Sequence, residues 1–328
     1  MIETLQYTID QNDKTTIIYA NDLRLKHHYG AFMKNLSSAP AVLTRIALSG
    51  KPNLLSLFGK AAIKRDRFKL DQSLPRLSSE VKGIKIDRGH LKAYQSLCGF
   101  GDVRALPPTY LSMLGFPMML DLMARKSFPM KAMGQVHLSN SISVHQSFSM
   151  DNSISLITAI TDSVVTARGV EWVVDTIASV DDDIVWSSKS TMLYRCKTEI
   201  PRENISTTSA LGSVQTWSVD SNMGRRYARV SGDYNPIHLS NITAQLFGFD
   251  QAIIHGMWSK ARCLAALQDQ LPEAGYRVIV NFQKPLFLPS NVLFYSDKES
   301  ENTSFSLFSE SGQYAHLDGL ITGDLHNV

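Results

Sequence analysis

The chain has 328 residues, about twice the roughly 150 residues of an ordinary domain, so one to three domains are expected. Apolar residues at 44% and charged residues at 19% give a globular composition, and a net charge of +3 is too balanced for a protein that lives on nucleic-acid phosphates. Cys98, Cys196 and Cys263 are far apart and odd in number; they support neither a disulfide framework nor a cysteine-rich zinc site, and a reducing, cytoplasmic setting is expected.

No run approaches the ~20 apolar residues of a membrane-spanning helix, and the opening MIETLQYTIDQND is too polar and acidic for a secretory signal. Helix-compatible stretches follow at Asp22–Asn35, Ala41–Ser49 and Leu54–Ile63. A basic cluster of Lys60, Lys64, Arg65, Arg67 and Lys69, opposed only by Asp66, overlaps the last of them. Such a segment can lie on anionic lipid or an acidic protein; the plainer expectation is an extension packed on the main body with its charges in water.

From about Gly83 the pattern turns strand-rich. Val136–Val144, Ser153–Thr161, Glu171–Ser179 and Val185–Leu193 carry β-branched or alternating residues. Thr198–Leu211 is polar and Ser/Thr-rich, as a linker would be. Two helices are then expected, Asn235–Phe247 and Gly256–Leu271, the second stopping before Pro272. Strands are expected at Tyr276–Phe282, Val292–Asp297, Ser304–Ser309 and Leu317–Thr322. The two strand-rich stretches invite comparison. The segment Tyr94–Asp102 is similar to Tyr227–Asp233, each is followed by a Gly-Phe pair (Gly115-Phe116, Gly248-Phe249), and 82–197 and 212–328 span 116 and 117 residues. The order of features implies a duplicated α+β unit.

The sharpest local signal is Ser231-Gly-Asp-Tyr-Asn-Pro-Ile-His238. Gly-Asp reads as a turn and Asn-Pro as a helix start, with Asn235 placed to cap and Pro236 at the first helical position. Asp233 and His238 can then converge on one water or substrate proton. Taken alone, such a turn is more often structural, and its histidine a hydrogen-bonded neighbour. Ile253-Ile-His-Gly-Met257 shifts the balance: an apolar run enters a glycine that opens a long helix, where its N–H can polarise a carbonyl oxygen.

These segments, with Ala244, Gly248-Phe249 and Phe282-Gln-Lys-Pro285, resemble the hydratase motif of the MaoC-like family of (R)-specific enoyl-CoA hydratases and 3-hydroxyacyl-thioester dehydratases, over about 215–328. A weaker resemblance joins Leu97–Tyr110, Phe128-Pro-Met and Met133-Gly-Gln-Val-His137 to the first half of its double-hotdog members, and Asn53–Lys60 to their short N-terminal segment. The resemblance implies an α+β double hotdog, in which two antiparallel sheets each wrap a central helix and form a pseudo-dimer, here with an N-terminal helical extension. The expected division is 1–81 extension, 82–197 degenerate hotdog, 198–211 linker and 212–328 catalytic hotdog. The resemblance further implies Asp233 and His238 as the catalytic pair, Asn235 holding the loop, and the Gly256 N–H binding the thioester oxygen. Ile254, His255, Met257 and Lys284 are weaker candidates for substrate contact. The first half keeps Asp102 but has Arg104-Ala-Leu-Pro-Pro108 where Asn-Pro-x-His would stand, so one active site per chain is expected, and His137 and His145 are assigned structural roles.

The expected chemistry is reversible hydration of trans-2-enoyl thioesters, with CoA or acyl carrier protein as the carrier. It needs no cofactor and no metal, and the chain has no GxGxxG, P-loop, HExxH or GxSxG. Lys284, Lys260 and Arg262 could meet CoA phosphates or an acidic carrier, although surface cations are more often only solvated. Leu286–Ser290 stands where the family has a Pro-Gly-Asp turn, with Ser-Asn following the proline. Met113, Met118, Met119, Met123, Met130 and Met133 form an adaptable core, or the wall of an acyl-tail chamber. The rivals are a thioesterase on the same fold and a non-catalytic acyl-thioester binder; His238 argues against the first, and joint retention of Asp233, Asn235, His238 and Gly256 against the second. A monomer (as pseudo-dimer) or a homodimer, with no nucleic-acid partner and no integral membrane segment, completes the expectation.

Overall fold

The computed structural model describes residues 9–10, 15–18, 43–101, 106–201, 212–323 and 325. Among the described residues thirteen strands form one sheet: β1 (Ile9–Asp10), β2 (Thr15–Ile18), β3 (Leu43–Leu48), β4 (Leu77–Ile84), β5 (Val136–Val144), β6 (Ile154–Thr166), β7 (Gly169–Val180), β8 (Asp183–Arg195), β9 (Ser213–Val219), β10 (Tyr276–Phe282), β11 (Ser290–Glu299), β12 (Asn302–Ser309) and β13 (Ala315–Thr322). Their spatial order is β1-β2-β3-β4-β6-β7-β8-β5-β10-β13-β12-β11-β9. All neighbours are antiparallel except β3 and β4. The helices are α1 (Leu54–Ile63), α2 (Arg88–Cys98), α3 (Tyr110–Ala124), α4 (Met223–Ser231), α5 (Asn241–Gln245) and α6 (Gly256–Ala266).

The order reads as one unit twice. In each, a short helix ending on a left-handed glycine (α2 at Gly99, φ 85°; α4 at Gly232, φ 77°) precedes a longer buried helix, α3 or α6, against the sheet. Long hairpins with β-branched residues supply the sheet; Asp181 and Asp182 take positive φ at the β7–β8 turn, matching the twist of a two-residue hairpin. The units join edge to edge at β5 and β10, with Val278 opposite Ile142 and Val280 opposite Asn140. This is the double hotdog that the resemblance implied.

One hydrophobic core crosses the seam, from Tyr94, Tyr110 and Ile142 on one side to Tyr227, Trp258, Leu264 and Val278 on the other. A second core under α1 holds Leu57, Ala61, Leu122, Phe128 and Trp172. Burial of such side chains is worth roughly 1.5–3 kcal/mol each relative to exposure. The seam also encloses a lysine, whose pKa burial drives well below the ordinary lysine value. Lys260, on α6, is 0% exposed, and its Nζ donates to Asn140 O (2.9 Å), Asn140 Oδ1 (2.7 Å) and Val278 O (3.0 Å). Neither Lys260 nor Arg262 is the surface cation expected: the Arg262 guanidinium lies 4.3 Å from the Trp217 ring centroid.

Several element expectations are corrected. Within the expected helix Ala41–Ser49, Leu43–Leu48 is a strand, because a short apolar run carries no periodicity that separates the two states. The extension therefore adds strands as well as a helix to the sheet, and the 81/82 boundary falls inside β4. The single helix expected over Asn235–Phe247 is a 3-10 turn (Pro236–His238) followed by α5, which Ser240 caps. Gly115-Phe116 lies within α3, whereas Gly248-Phe249 follows α5, so the two pairs are not equivalent. The Asp22–Asn35 stretch, Asp102, Arg104 and most of the Thr198–Leu211 linker lie outside the described residues.

Candidate active site

The loop after α4 and the start of α6 converge. Gly232 ends α4 with φ 77°, which turns the chain so that the Asp233 carboxylate accepts the Asn235 N–H through Oδ1 at 3.1 Å. His238, at the end of the 3-10 turn, donates from Nδ1 to Ile253 O at 2.8 Å, so its Nε2 carries the free lone pair when the ring is neutral. His255 donates from Nε2 to the Asp233 carbonyl at 2.9 Å, and its ring stacks on that of His238, centroids 3.7 Å apart. Ile253 bridges to Phe287, and Ile254 N donates to Leu286 O at 2.9 Å; Leu286–Ser290 thereby fixes the approach to α6.

Burial sets the electrostatics. It raises the Asp233 pKa, against the pull of His238 and the Asn235 N–H. It lowers that of His238, against Asp233 and the Ile253 carbonyl. His255 is driven well below the ordinary histidine value by burial and then by His238. A carboxyl pushed up beside an imidazole pushed down is a pair that can hold and pass one proton near neutrality. A ring nitrogen from each histidine and an Asp233 oxygen lie within 4.8 Å of one another; they could share a water, and as N/O donors they could also take a divalent ion.

Gly256 begins α6, so its N–H has no partner within the helix. A Cβ there would come 2.9 Å from the Phe282 ring, which closes on the helix start and would have to shift to admit it. Asp233, His238, His255 and Gly256 line one cavity of about 840 Å³. Ile254, Met257, Asn235 and the exposed Lys284 line it too. Asn235 does not cap the turn with its side chain; its Oδ1 is buried without a partner among the described residues.

The cavity continues into the first half, where Met113, Phe116, Met119, Met123 and Met133 line it. Met118 and Met130 are instead fully buried core. Sequence reasoning missed two contributors. Phe58 of α1 lines the cavity and packs on Phe116 and on Tyr234 of the loop that carries Asp233, centroids 6.4 and 6.1 Å apart; only the resemblance of Asn53–Lys60 pointed there. Tyr227 meets His255 at 4.9 Å and was visible only as the repeat partner of Tyr94. Of the two histidines assigned structural roles, His145 bonds Ser187 Oγ at 2.9 Å, but His137 lines the cavity.

Residues 203–318 match the model of the MaoC-like domain. The chain is 29% identical over 259 residues to 3-hydroxyacyl-thioester dehydratase X of Mycobacterium tuberculosis, covering 76% of this chain and 90% of that protein. It superposes on the crystal structure of HtdX from M. tuberculosis with a TM-score of 0.68 at 29% identity, over 75% of this chain and 99% of that one. A MaoC-like dehydratase from Phytophthora capsici shares the fold at 17% identity, with a TM-score of 0.61 over 78% of this chain and 97% of that one.

Proposed function

We propose, from the match of residues 203–318 to the MaoC-like domain, that this chain is a hydro-lyase that interconverts (R)-3-hydroxyacyl and trans-2-enoyl thioesters in fatty-acid metabolism. Its likeness to a 3-hydroxyacyl-thioester dehydratase supports the dehydratase class. The observation that carries the reading is the convergence of Asp233, His238 and the start of α6 on one cavity.

The Gly256 N–H, aligned with the α6 dipole, receives the thioester oxygen as enolate charge develops there, an interaction worth roughly 3 kcal/mol in the transition state. In dehydration the His238 Nε2 lone pair takes the proton from C2, and the C2–H electrons form the C2=C3 double bond. The C3–O bond breaks, and its oxygen leaves as water with a proton from the Asp233 carboxyl. Hydration runs the same steps backwards. The two groups titrate as a pair and exchange roles with direction. We read the Met-lined limb as the chamber for a medium or long acyl tail, and Lys284 at the exposed rim as a contact for a CoA or carrier-protein phosphate. The reaction as written requires neither cofactor nor metal. Among the described residues no helix is long and apolar enough to cross a membrane; a cytoplasmic enzyme, monomeric as a pseudo-dimer, is the arrangement proposed.

Crotonyl-CoA and octenoyl-CoA, followed at the enoyl absorbance, test the reading. Wild type is expected to consume both, with Asp233→Ala and His238→Ala slower by about 10²–10⁴-fold. Release of free thiol would identify a thioesterase instead, and absence of turnover on either ester or its carrier-protein form would leave a binding protein.

A further inference from the structure

Five buried side-chain polar atoms lack a hydrogen-bond partner among the described residues: Ser79 Oγ, Ser112 Oγ, His137 Nε2, Asn235 Oδ1 and His255 Nδ1. The last four belong to residues that line the single cavity described above. Two of those four are on the catalytic loop and at the head of α6, where the reaction itself supplies polar atoms. The other two, Ser112 and His137, come from α3 and β5 of the first half. An unfilled buried polar atom costs about 1–3 kcal/mol, so their concentration in one cavity calls for a ligand that fills them.

His137 is built as an acceptor. Its ring bonds the Ser139 backbone in a way that favours the proton on that nitrogen, which leaves Nε2 as a bare lone pair. Burial and then the neighbouring Lys260 push its pKa down to about 4, so the ring stays neutral across the physiological range. Its ring centroid lies 5.0 Å from that of Phe282, the same side chain that closes on Gly256. The acceptor therefore stands beside the thioester site, across the β5–β10 seam. Ser112 adds a hydroxyl that can donate or accept, on the helix that also presents Met113, Phe116, Met119 and Met123 to the cavity.

We propose that Ser112 and His137 form a polar subsite, contributed by the first half, that holds a hydrogen-bond-donating group of the bound thioester: an amide N–H of the carrier arm or a hydroxyl on the acyl chain. The identity of the ligand rests on the hydro-lyase reading; the subsite does not depend on turnover. The test is therefore binding of saturated thioesters, which cannot be hydrated, measured by calorimetry on the full chain. The ligands are octanoyl-CoA, 8-hydroxyoctanoyl-CoA and S-octanoyl ethanethiol, the last without an amide. The proteins are wild type, Ser112→Ala, His137→Phe and His137→Gln.

Ser112→Ala and His137→Phe are expected to weaken the relevant ligand about three- to tenfold each, with His137→Gln, which keeps an acceptor, closer to wild type. If the amide is the source, the loss is seen with both CoA esters and vanishes with S-octanoyl ethanethiol. If the hydroxyl is the source, the loss is confined to 8-hydroxyoctanoyl-CoA. Equal affinity of all four proteins for every ligand would overturn the subsite and leave those atoms to water. So would an equal loss on every ligand accompanied by a lower melting temperature. Should His137→Phe fail to fold, Ser112→Ala and His137→Gln carry the comparison. A wild type that binds octanoyl-CoA but does not hydrate octenoyl-CoA would refute the reaction while leaving the subsite open to the same measurement.

Discussion

At the scale of single residues, the site is governed by what burial does to three ionisable side chains. The lowered His238 pKa keeps its Nε2 lone pair available at neutrality. Activity should therefore fall on the acid side of 6.5, the ordinary histidine value, as His238 is protonated; a pH profile of kcat/KM that broke above that value would contradict the base assignment. Gly256→Ala places a Cβ 2.9 Å from Phe282. The expected result is a loss of about 10²-fold in kcat together with 1–3 kcal/mol of overpacking cost, read by steady-state kinetics and urea denaturation. Lys260→Met would orphan the oxygens of Asn140 and Val278 and cost about 3 kcal/mol. It should also raise the His137 pKa from about 4, a shift visible in the imidazole proton resonances.

The turns that bring Asp233, His238 and Gly256 together were legible in sequence because their signals are local: Gly-Asp, Asn-Pro and His-Gly each announce a turn or a helix start. Lys260 and His137 were not, since each has a neighbour more than a hundred positions away in the chain, Asn140 for Lys260 and Lys260 for His137. Nothing in the spacing of a lysine on a helix tells whether the far side of that helix is water or the edge of another sheet.

Among the elements, α3 and α1 carry the lessons. α3 is buried on nearly every side and holds Pro117 in its middle, so it showed neither amphipathic periodicity nor an uninterrupted helical run, the two signals on which helix recognition depends. α1 was recognised with its bounds intact, Leu54–Ile63, but its position was not. Leu54 packs on Gly232, and Phe58 bridges Phe116 and Tyr234, so the extension forms part of the cavity wall. The basic cluster is only partly solvated: Lys64 donates to Met123 O and lies 4.7 Å from the Phe128 ring centroid. The outer face of α1 leaves Leu55 and Ile63 86% and 82% exposed. Narrowing the tail chamber tests its proposed use. Met119→Trp should depress kcat/KM for octenoyl-CoA at least tenfold while sparing crotonyl-CoA, because added volume excludes only the longer chain. Equal losses on both esters would place the tail elsewhere.

Over the whole molecule, the two hotdogs share one core, one cavity and one buried lysine. Stability should decline below pH 6.5, where the unfolded chain takes up protons that the half-buried His137 and the buried His238 and His255 refuse. Each such histidine adds up to about 1.4 kcal/mol of loss per pH unit until its own folded-state pKa is reached; denaturant melts between pH 7 and 5 measure the slope. The repeat was legible through Tyr94 and Tyr227, whose rings lie 6.3 Å apart across the pseudo-dimer.

The β5–β10 seam has a consequence for how such a molecule can change. Two identical subunits must accept every substitution twice, once on each side of their twofold axis, so neither site can be altered without altering its mate. Here both partners of the seam are written in one chain, and the copies are free to differ. On the proposed reading, one side keeps the proton-transfer groups while the other uses the same positions for volume and for shaping what enters.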